Sequence, residues 1–209
     1  MVNEKIESRK KEFIRELKDQ TYTERYIVQK YLCNGYSPIL DEETIFLIKY
    51  KIASEFDIHP NEIFLTGSAQ LGFSIAPKNI ALHKKFIEFN CSSDIDIAII
   101  SNNLFERYWS ELLDFNIHTE SRTEEDQKIY YKFLEYLFRG WIRPDKFPFK
   151  FEGKNDWFDF FRALTIEFNK IGNHKIAAGI YKSFDTFELY NIENINRIRK
   201  QIKEGEIKL

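Results

Sequence analysis

Ser93-Asp-Ile-Asp-Ile-Ala-Ile-Ile-Ser101 is the stretch that decides the fold, because it combines an apolar β-strand with two carboxylates. Side chains at positions i and i+2 of a strand point to the same face, so Asp94 and Asp96 are expected to converge. Two converging carboxylates repel each other unless a positive charge joins them. Proteins hold Mg²⁺ with one or two carboxylates together with substrate phosphates. The pair therefore predicts metal-assisted chemistry on a phosphate, with Mn²⁺ as an alternative ion.

A short apolar strand at residues 63–66 precedes this stretch and runs directly into Gly67-Ser68. Glycine lets the backbone approach a ligand closely, and exposed N–H groups at the start of a helix attract phosphate oxygens. The Ser68 hydroxyl adds a donor, and Ser93, beside the acidic pair, is a further candidate for contact with a nucleotide. The turn therefore predicts a phosphate-binding element.

Each feature also has an ordinary structural interpretation. A strand followed by Gly-Ser is most often only a turn, and acids at the end of a strand often lie in solvent or cap a helix. Ala98 and Ile100 continue the face of the two aspartates, which makes exposure of both acids less natural. The combination of turn and acidic pair favours a functional site.

Together, Gly67-Ser68 and Asp94-Ile95-Asp96 resemble the signature of the nucleotidyltransferase superfamily, which includes DNA polymerase β. The resemblance implies an α+β (α/β) fold with a small mixed sheet of the polymerase β-like type, flanked by helices. It implies that Gly67 and Ser68 hold the triphosphate of an NTP and that the aspartates bind two Mg²⁺ ions. Paired metals stabilise the attacking and leaving oxygens of an in-line displacement. The implied reaction is transfer of a nucleoside monophosphate to an acceptor hydroxyl.

The gap between the two motifs is longer than in small members of that superfamily. Residues 73–91 form a basic stretch that predicts a loop inserted between the two strands, and Lys85 in it is a candidate phosphate ligand. The alternative is a solvated surface loop. Lys182, after a predicted strand at residues 175–181, is a further candidate for the triphosphate, although an exposed lysine is the commoner outcome.

A third carboxylate, which active members usually carry on a later strand, is not evident. Glu120 is the better candidate, in a stretch at residues 115–120 predicted as a short strand, and Asp114 is the other. The predicted strand at 175–181 contains no acid. A catalytically inactive nucleotide-binding module, or an antitoxin-like module that binds a protein, is therefore the alternative function.

A basic and aromatic cluster follows the predicted helix at residues 124–139. Arg139, Arg143 and Lys146 flank Trp141, which suits stacking on a base and holding phosphate. The interpretation that we favour is structural, with the cations at a helix C-terminus and Trp141 filling the core.

Composition limits the partners and the compartment. The chain has 209 residues, with 31 basic and 33 acidic side chains, so no overall charge favours nucleic acid as an obligatory partner. Two cysteines provide no disulfide framework, and no stretch has the length and apolar character of a membrane span or signal core. We expect a cytoplasmic bacterial protein without membrane contact. The sequence leaves the acceptor open among a protein, a tRNA, a small molecule and a second nucleotide. Such acceptors are those of the second-messenger synthases and toxin–antitoxin nucleotidyltransferases of the superfamily. The high aromatic content is compatible with a protein partner or a homo-oligomer.

Hydrophobic periodicity predicts a helical segment at residues 1–60 packed on a nucleotidyltransferase-like domain at 61–209, as one folding unit. The expected helix starts include Asp41, Asn103 and Ser183 as N-caps, and residues from 201 onward are expected to fray.

Overall fold

The computed structural model describes residues 2–75, 86–118, 123–169 and 172–206. These residues contain eight α-helices and one four-stranded mixed sheet, which confirms the α+β class. In chain order the elements are α1 (Val2–Lys18), α2 (Glu24–Val28), α3 (Glu42–Phe56), β1 (Ile63–Thr66), α4 (Gly67–Leu71), β2 (Ile95–Ile100), α5 (Asn102–His118), α6 (Glu124–Phe138), β3 (Trp141–Ile142), α7 (Glu152–Glu167), β4 (Ile176–Tyr181) and α8 (Phe184–Lys203).

Side-chain caps begin several of these helices where the sequence predicts them. Asp41 accepts a hydrogen bond from the Thr44 N–H at 2.7 Å, and Ser183 caps α8 in the same way. The prediction of Asn103 as a cap is wrong, because α5 begins at Asn102 and the carbonyl of Ser101 accepts from Phe105 N–H at 3.0 Å. The sequence does place helix starts, but adjacent polar residues compete for the cap position.

Three elements differ from the sequence predictions. Residues 115–118 continue helix α5, so a strand there is wrong, and the rest of that predicted strand lies outside the described residues. Strand β3 was not predicted, because it has only two residues. Helix α8 continues to Lys203 rather than fraying from residue 201.

The strands lie in the order β1-β2-β4-β3, with β2 and β4 in the centre. β2 pairs antiparallel with β1 and parallel with β4, and β3 pairs antiparallel with β4. The β1–β2 register sets Thr66 opposite Asp96, and the β2–β4 register sets Ala177 opposite Asp96. The start of β2 therefore lies beside the end of β1 and the start of β4.

Helices cover both faces of the sheet. One face, which includes Ile95, Ile97 and Ile99, packs against α3, α5, α6 and α7. The other, which includes Ala98 and Ile100, packs against α1, α2 and α8. A strand that is apolar on both faces suits this three-layer arrangement. Within the described part of the chain, no helix combines the length and the apolar composition needed to cross a bilayer.

Helix α8 is tied to the end of α1 by Arg199. Its guanidinium donates hydrogen bonds to the carbonyls of Leu17 at 3.0 Å and Tyr22 at 2.6 Å, and to the Glu24 carboxylate at 2.5 Å. Carbonyls at a helix C-terminus have no partner within the helix, so these bonds satisfy groups that would otherwise need water. The first and last long helices are thereby joined on one face of the sheet.

A buried carboxylate joins α1 to the segment after α2. Glu16 is 2% exposed, and it accepts hydrogen bonds from Lys30 Nζ at 2.6 Å and from the Tyr31 hydroxyl at 3.1 Å. Lys30 also contacts Glu12, whose carboxylate is largely exposed, at 2.9 Å. The same ammonium therefore binds one buried and one exposed acid.

We expect Glu16→Ala to lower the free energy of unfolding by about 2 kcal/mol, because it leaves the buried Tyr31 hydroxyl without its acceptor and removes one of the two acids that Lys30 binds. Glu12→Ala is the matched control and should cost less than about 1 kcal/mol, as an exposed ion pair does. Urea unfolding of the two variants measures the difference. Equal costs would show that the Glu16 pair does not stabilise the packing of α1.

Candidate functional site

A cavity of about 250 Å³ opens beside Asp96, on the sheet face that packs against α1, α2 and α8. Thr66 and Gly67 at the end of β1 line one wall, and residues 177–179 at the start of β4 line the floor. The cavity lies where the ends of three neighbouring strands meet. The two sequence motifs therefore contribute to one concave site.

Gly67 and Asp96 are in direct contact in this cavity. Gly67 has φ +62°, and a Cβ atom placed on it would lie 2.7 Å from Oδ2 of Asp96. A left-handed residue with no room for a side chain must be glycine. The turn after β1 and the second aspartate are thus brought together, as the sequence predicts.

Asp94 does not share this position. β2 begins at Ile95, and Asp94 lies before it, exposed, and does not line the cavity, whereas Asp96 is half-buried. The rule that residues i and i+2 share a face applies within a strand, so it does not fix the direction of Asp94. The structure thus places Asp96, and not Asp94, in the cavity wall, and convergence of the two carboxylates stays a prediction.

The two serines of the predicted site hold local structure. Ser68 is buried in α4, where its carbonyl accepts from Gly72 N–H at 2.9 Å. The Ser93 hydroxyl accepts from Asn90 N–H at 3.0 Å, and its carbonyl lies 2.8 Å from Nδ1 of His174. Neither serine lines the cavity.

Of the remaining predicted residues, the structure describes Lys182, which does not line the cavity. Lys182 follows the far end of β4, where its ammonium pairs with Glu106 at 2.7 Å. Lys85 and Glu120 lie outside the described residues.

Arg143 supplies a positive charge to the cavity. Its guanidinium holds the carboxylate of Asp145 with two hydrogen bonds, of 2.8 and 2.7 Å. Burial alone would lower the pKa of Arg143, but the bonds to Asp145 and the nearby charge of Asp96 raise it above its ordinary value. Burial likewise opposes ionisation of Asp145, and Arg143 reverses the effect and holds the pKa of that carboxyl below 3.8. A fixed cation thus stands near Asp96.

Aromatic and amide side chains also line the cavity. Trp141 lies 4.9 Å from Tyr190 and 6.0 Å from Tyr181 between ring centroids. Asn191 and Asn194 of α8 line the cavity as well. Burial raises the pKa of both tyrosines, which keeps the phenols neutral. The sequence identified Trp141 and Arg143 as a cluster. It did not indicate that Asn191 and Asn194 line a cavity, because their spacing is that of any polar helix face.

The indole of Trp141 has an unsatisfied donor. Among the described residues Nε1 is buried and has no hydrogen-bond partner. A Cβ atom on Gly179 would lie 2.5 Å from it, so the missing side chain of Gly179 is what admits the indole. Trp141 is half-buried and contacts three tyrosines, as expected for a residue that fills the core.

The described cavity wall has one acid. Asp96 is the only carboxylate among its lining residues in the described chain, and its neighbour on β4 is Ala177. No group of three or more His, Cys, Asp or Glu side chains that could hold a metal ion occurs in the described residues. A metal at this site would need further oxygen ligands, from a bound phosphate and from water.

Comparisons with protein-family models, with curated proteins and with solved structures find no match to this chain. The geometry of the cavity is therefore the basis for a functional proposal.

We expect Gly67→Ala to lower the free energy of unfolding by about 2 to 3 kcal/mol, from a left-handed alanine and from the clash with Asp96. Gly205→Ala is the matched control, because Gly205 has φ +73° and no atom within 4 Å of the added Cβ. That variant should cost at most about 1 kcal/mol. Urea unfolding measures both.

The clash is isolated by combining Gly67→Ala with Asp96→Ala. If the two groups are in contact, the double variant should recover about 1 kcal/mol relative to the sum of the single costs. Strict additivity would mean that Gly67 and Asp96 are not in contact in solution.

Proposed function

We propose that this protein is a Mg²⁺-dependent nucleotidyltransferase, which moves a nucleoside monophosphate from an NTP to an acceptor hydroxyl. The observation that carries the proposal is the contact of Gly67 with Asp96 at one cavity, with 2.7 Å between a Cβ at Gly67 and Oδ2 of Asp96. A glycine turn lets phosphates approach the main chain closely, and a neighbouring carboxylate suits a hard cation such as Mg²⁺. Together the two groups suit a phosphate and its metal ion. The order of β1, glycine turn and acidic strand β2 also supports the finer proposal of a polymerase β-like sheet.

The described wall of the cavity offers Mg²⁺ one carboxylate, that of Asp96. Asp96 would hold the ion, with Asp94 nearby in the chain, and NTP phosphates and water would complete the oxygen ligands that Mg²⁺ prefers. When bound, the ion would stabilise negative charge on the phosphate oxygens. Ser68 and Ser93 are not assigned a role, because neither residue lines the cavity.

The side chains of the cavity suit the two ends of a nucleotide. The Arg143 guanidinium, whose charge acts on Asp96, adds positive charge for the anionic triphosphate. Trp141 and Tyr190 would offer aromatic faces to a base, and the amides of Asn191 and Asn194 would offer donors and acceptors to its edge. Positioning and charge are the main contributions that a protein makes to phosphoryl transfer.

A second function is favoured by a specific observation. β4 presents Ala177 and Gly179 to the cavity where a third carboxylate would be needed, and Arg143 already offsets the charge of Asp96. A cavity with one acid and a fixed cation can bind a nucleotide without transferring it. The alternative is therefore a catalytically inactive nucleotide-binding module or an antitoxin-like one.

We expect label from α-labelled ATP, CTP, GTP or UTP with Mg²⁺ to be transferred to an acceptor in cell extract, and Asp96→Asn to reduce that transfer by at least about 100-fold. Loss of the charge removes the ligand for the cation while keeping the shape of the side chain. Asp156→Asn is the control, because Asp156 is exposed on α7 and does not line the cavity. Nucleotide binding by the wild type with no transfer to any acceptor would establish the alternative function.

Ala177→Asp tests whether the cavity is built around a cation. It adds a carboxylate directly opposite Asp96, so we expect Mn²⁺ binding, measured by calorimetry, to tighten about tenfold. Ala177→Asn is the matched control, with nearly the same shape and no charge. Equal Mn²⁺ affinity in the two variants would argue against a metal at Asp96.

A further inference from the structure

A second pocket lies between helix α6 and strand β3. It has a volume of about 320 Å³ and is lined by four residues of α6, by Trp141 of β3, and by Arg143 and Lys146 after that strand. Sites for small ligands in proteins have volumes of about 300 to 1,000 Å³, so the space is large enough for one. We call this site the α6–β3 pocket.

The charged side chains that line the α6–β3 pocket in the described chain are all positive. They are Lys132, Arg143 and Lys146. Asp145 is not part of the lining, and it is held by two hydrogen bonds from the Arg143 guanidinium. Lys146 Nζ lies 4.0 Å from the same carboxylate, and Lys132 forms no ion pair with an acid that the structure describes. Three cations thus share one acid, and the excess charge attracts an anion.

The two lysines are accessible to a ligand. The side chain of Lys146 is 66% exposed, and Lys132 is exposed on α6. Their ammonium groups keep their donors for a further partner, whereas the guanidinium of Arg143 is already engaged with Asp145. Lysine binds a phosphate as a point charge, without the fixed geometry of an arginine fork. The pocket therefore suits a phosphate group.

The other side chains of the pocket are aromatic or apolar. Tyr136 and Trp141 lie 4.7 Å apart between ring centroids, and both are half-buried. Ile129, which is 45% exposed, completes an apolar part of the lining with Phe133. A positive site beside aromatic side chains is the arrangement that binds the phosphate and the base of a nucleic-acid strand. An acidic side chain of a peptide would use the lysines but not the aromatic lining.

The α6–β3 pocket adjoins the cavity at Asp96. Trp141 and Arg143 line both spaces, so a ligand in the pocket lies next to a ligand in the cavity. Two phosphate-bearing ligands placed side by side repel each other, and a cation between them reduces that repulsion. Arg143 lies on the shared wall and is fixed by Asp145, so its charge can act on both.

We propose that the α6–β3 pocket binds the acceptor of the transfer reaction, and that this acceptor is a nucleotide unit whose phosphate contacts Lys132 and Lys146. The role as acceptor rests on the proposed nucleotidyltransferase function, whereas the binding does not. The unit belongs either to the end of an RNA strand or to a free nucleotide, which share the phosphate, the ribose and the base. A protein side chain as acceptor would leave both lysines without an anion.

The reaction that follows is balanced without a further reagent. The oxygen of a ribose hydroxyl on the bound nucleotide unit forms a bond to the α-phosphorus of the NTP. The bond between that phosphorus and the oxygen bridging to the β-phosphate breaks, and pyrophosphate leaves. The hydroxyl proton passes to water. The product is the acceptor extended by one nucleoside monophosphate.

Binding is tested without NTP. The probe is tetraadenylate RNA with fluorescein at its 5′ end, and fluorescence polarisation measures its Kd. The double variant Lys132→Gln and Lys146→Gln should weaken binding by at least about tenfold, because it removes both phosphate contacts. Lys128→Gln with Lys203→Gln is the matched control, since both lysines are exposed on helices, do not line the pocket and change the net charge equally. The control should change the Kd by less than about twofold.

The salt dependence of the same Kd separates a phosphate contact from a structural role of the lysines. Two neutralised phosphate charges on a single strand should weaken binding by the wild type about sevenfold between about 50 and 200 mM salt. The double variant at Lys132 and Lys146 should lose most of this dependence. Binding that is lost in that variant with an unchanged salt dependence would assign the lysines a structural role and overturn the site.

Competition identifies the part of the ligand that the pocket recognises. AMP should displace the probe at a concentration at least about fivefold lower than ribose 5-phosphate does, because it adds the base. Competition by AMP as tight as by unlabelled tetraadenylate assigns a free nucleotide, and much weaker competition by AMP assigns a strand end. Equal competition by AMP and ribose 5-phosphate, or tighter binding of a tetra-aspartate peptide, overturns the nucleotide assignment.

Calorimetry with ATP and Mg²⁺ separates the pocket from the cavity for the NTP. The double variant at Lys132 and Lys146 should change the Kd of ATP by less than about twofold, because neither lysine lines the cavity at Asp96. Equal weakening of ATP and of tetraadenylate would place the lysines in the NTP site and overturn a separate acceptor pocket. Failure of the wild type to bind tetraadenylate would also overturn it.

The acceptor role is tested with α-labelled ATP, Mg²⁺ and unlabelled tetraadenylate or AMP. Label on either acceptor that is lost in the Lys132 and Lys146 double variant and in Asp96→Asn, but kept in the control, supports it. Label transferred to other acceptors in extract but never to these two overturns the acceptor role and leaves the proposed function intact. Binding of tetraadenylate with no transfer to any acceptor overturns the proposed function and leaves the binding site intact.

Discussion

The pairing of β2 between β1 and β4 is the interaction on which the rest of the structure depends. β2 is apolar on both faces, so both must be covered, and helices from the two ends of the chain cover the face that also carries Asp96. The two registers of β2 then bring Thr66 and Ala177 to either side of Asp96. A shift of one residue in either pairing would exchange the faces and bury Asp96 among the isoleucines.

A charge at the start of such a strand needs compensation, and the structure provides it from another part of the chain. Arg143 follows β3 and is held rigidly by Asp145, so its charge stays near Asp96 at little conformational cost. A fixed cation helps to bind an anionic phosphate, yet it also reduces the demand of Asp96 for a metal ion. The balance between these two effects separates a transferase from a module that only binds nucleotide.

Strand β3 contributes to the cavity although it has only two residues. It pairs with Ile180 and Tyr181 of β4 and brings Trp141 to the cavity at Asp96. Pro144 ends this pairing, because proline has no N–H to donate and the chain turns at Pro144–Lys146.

Local patterns in the sequence were enough for much of this protein. The caps of α3 and α8, the strands at residues 63–66 and 175–181 and the glycine turn at Gly67 follow from neighbouring residues, because caps, periodicity and left-handed turns act over a few positions. The same reasoning placed the cap of α5 at Asn103, which was wrong, because that helix begins at Asn102. It also placed Asp94 in the site, but Asp94 precedes the first residue of β2, and the alternation of side chains within a strand does not fix its direction. Only the tertiary structure decided that Asp96 lies beside Gly67, Arg143 and Ala177. This arrangement depends on which strands pair and in which register. The burial of both faces of β2 sets that register.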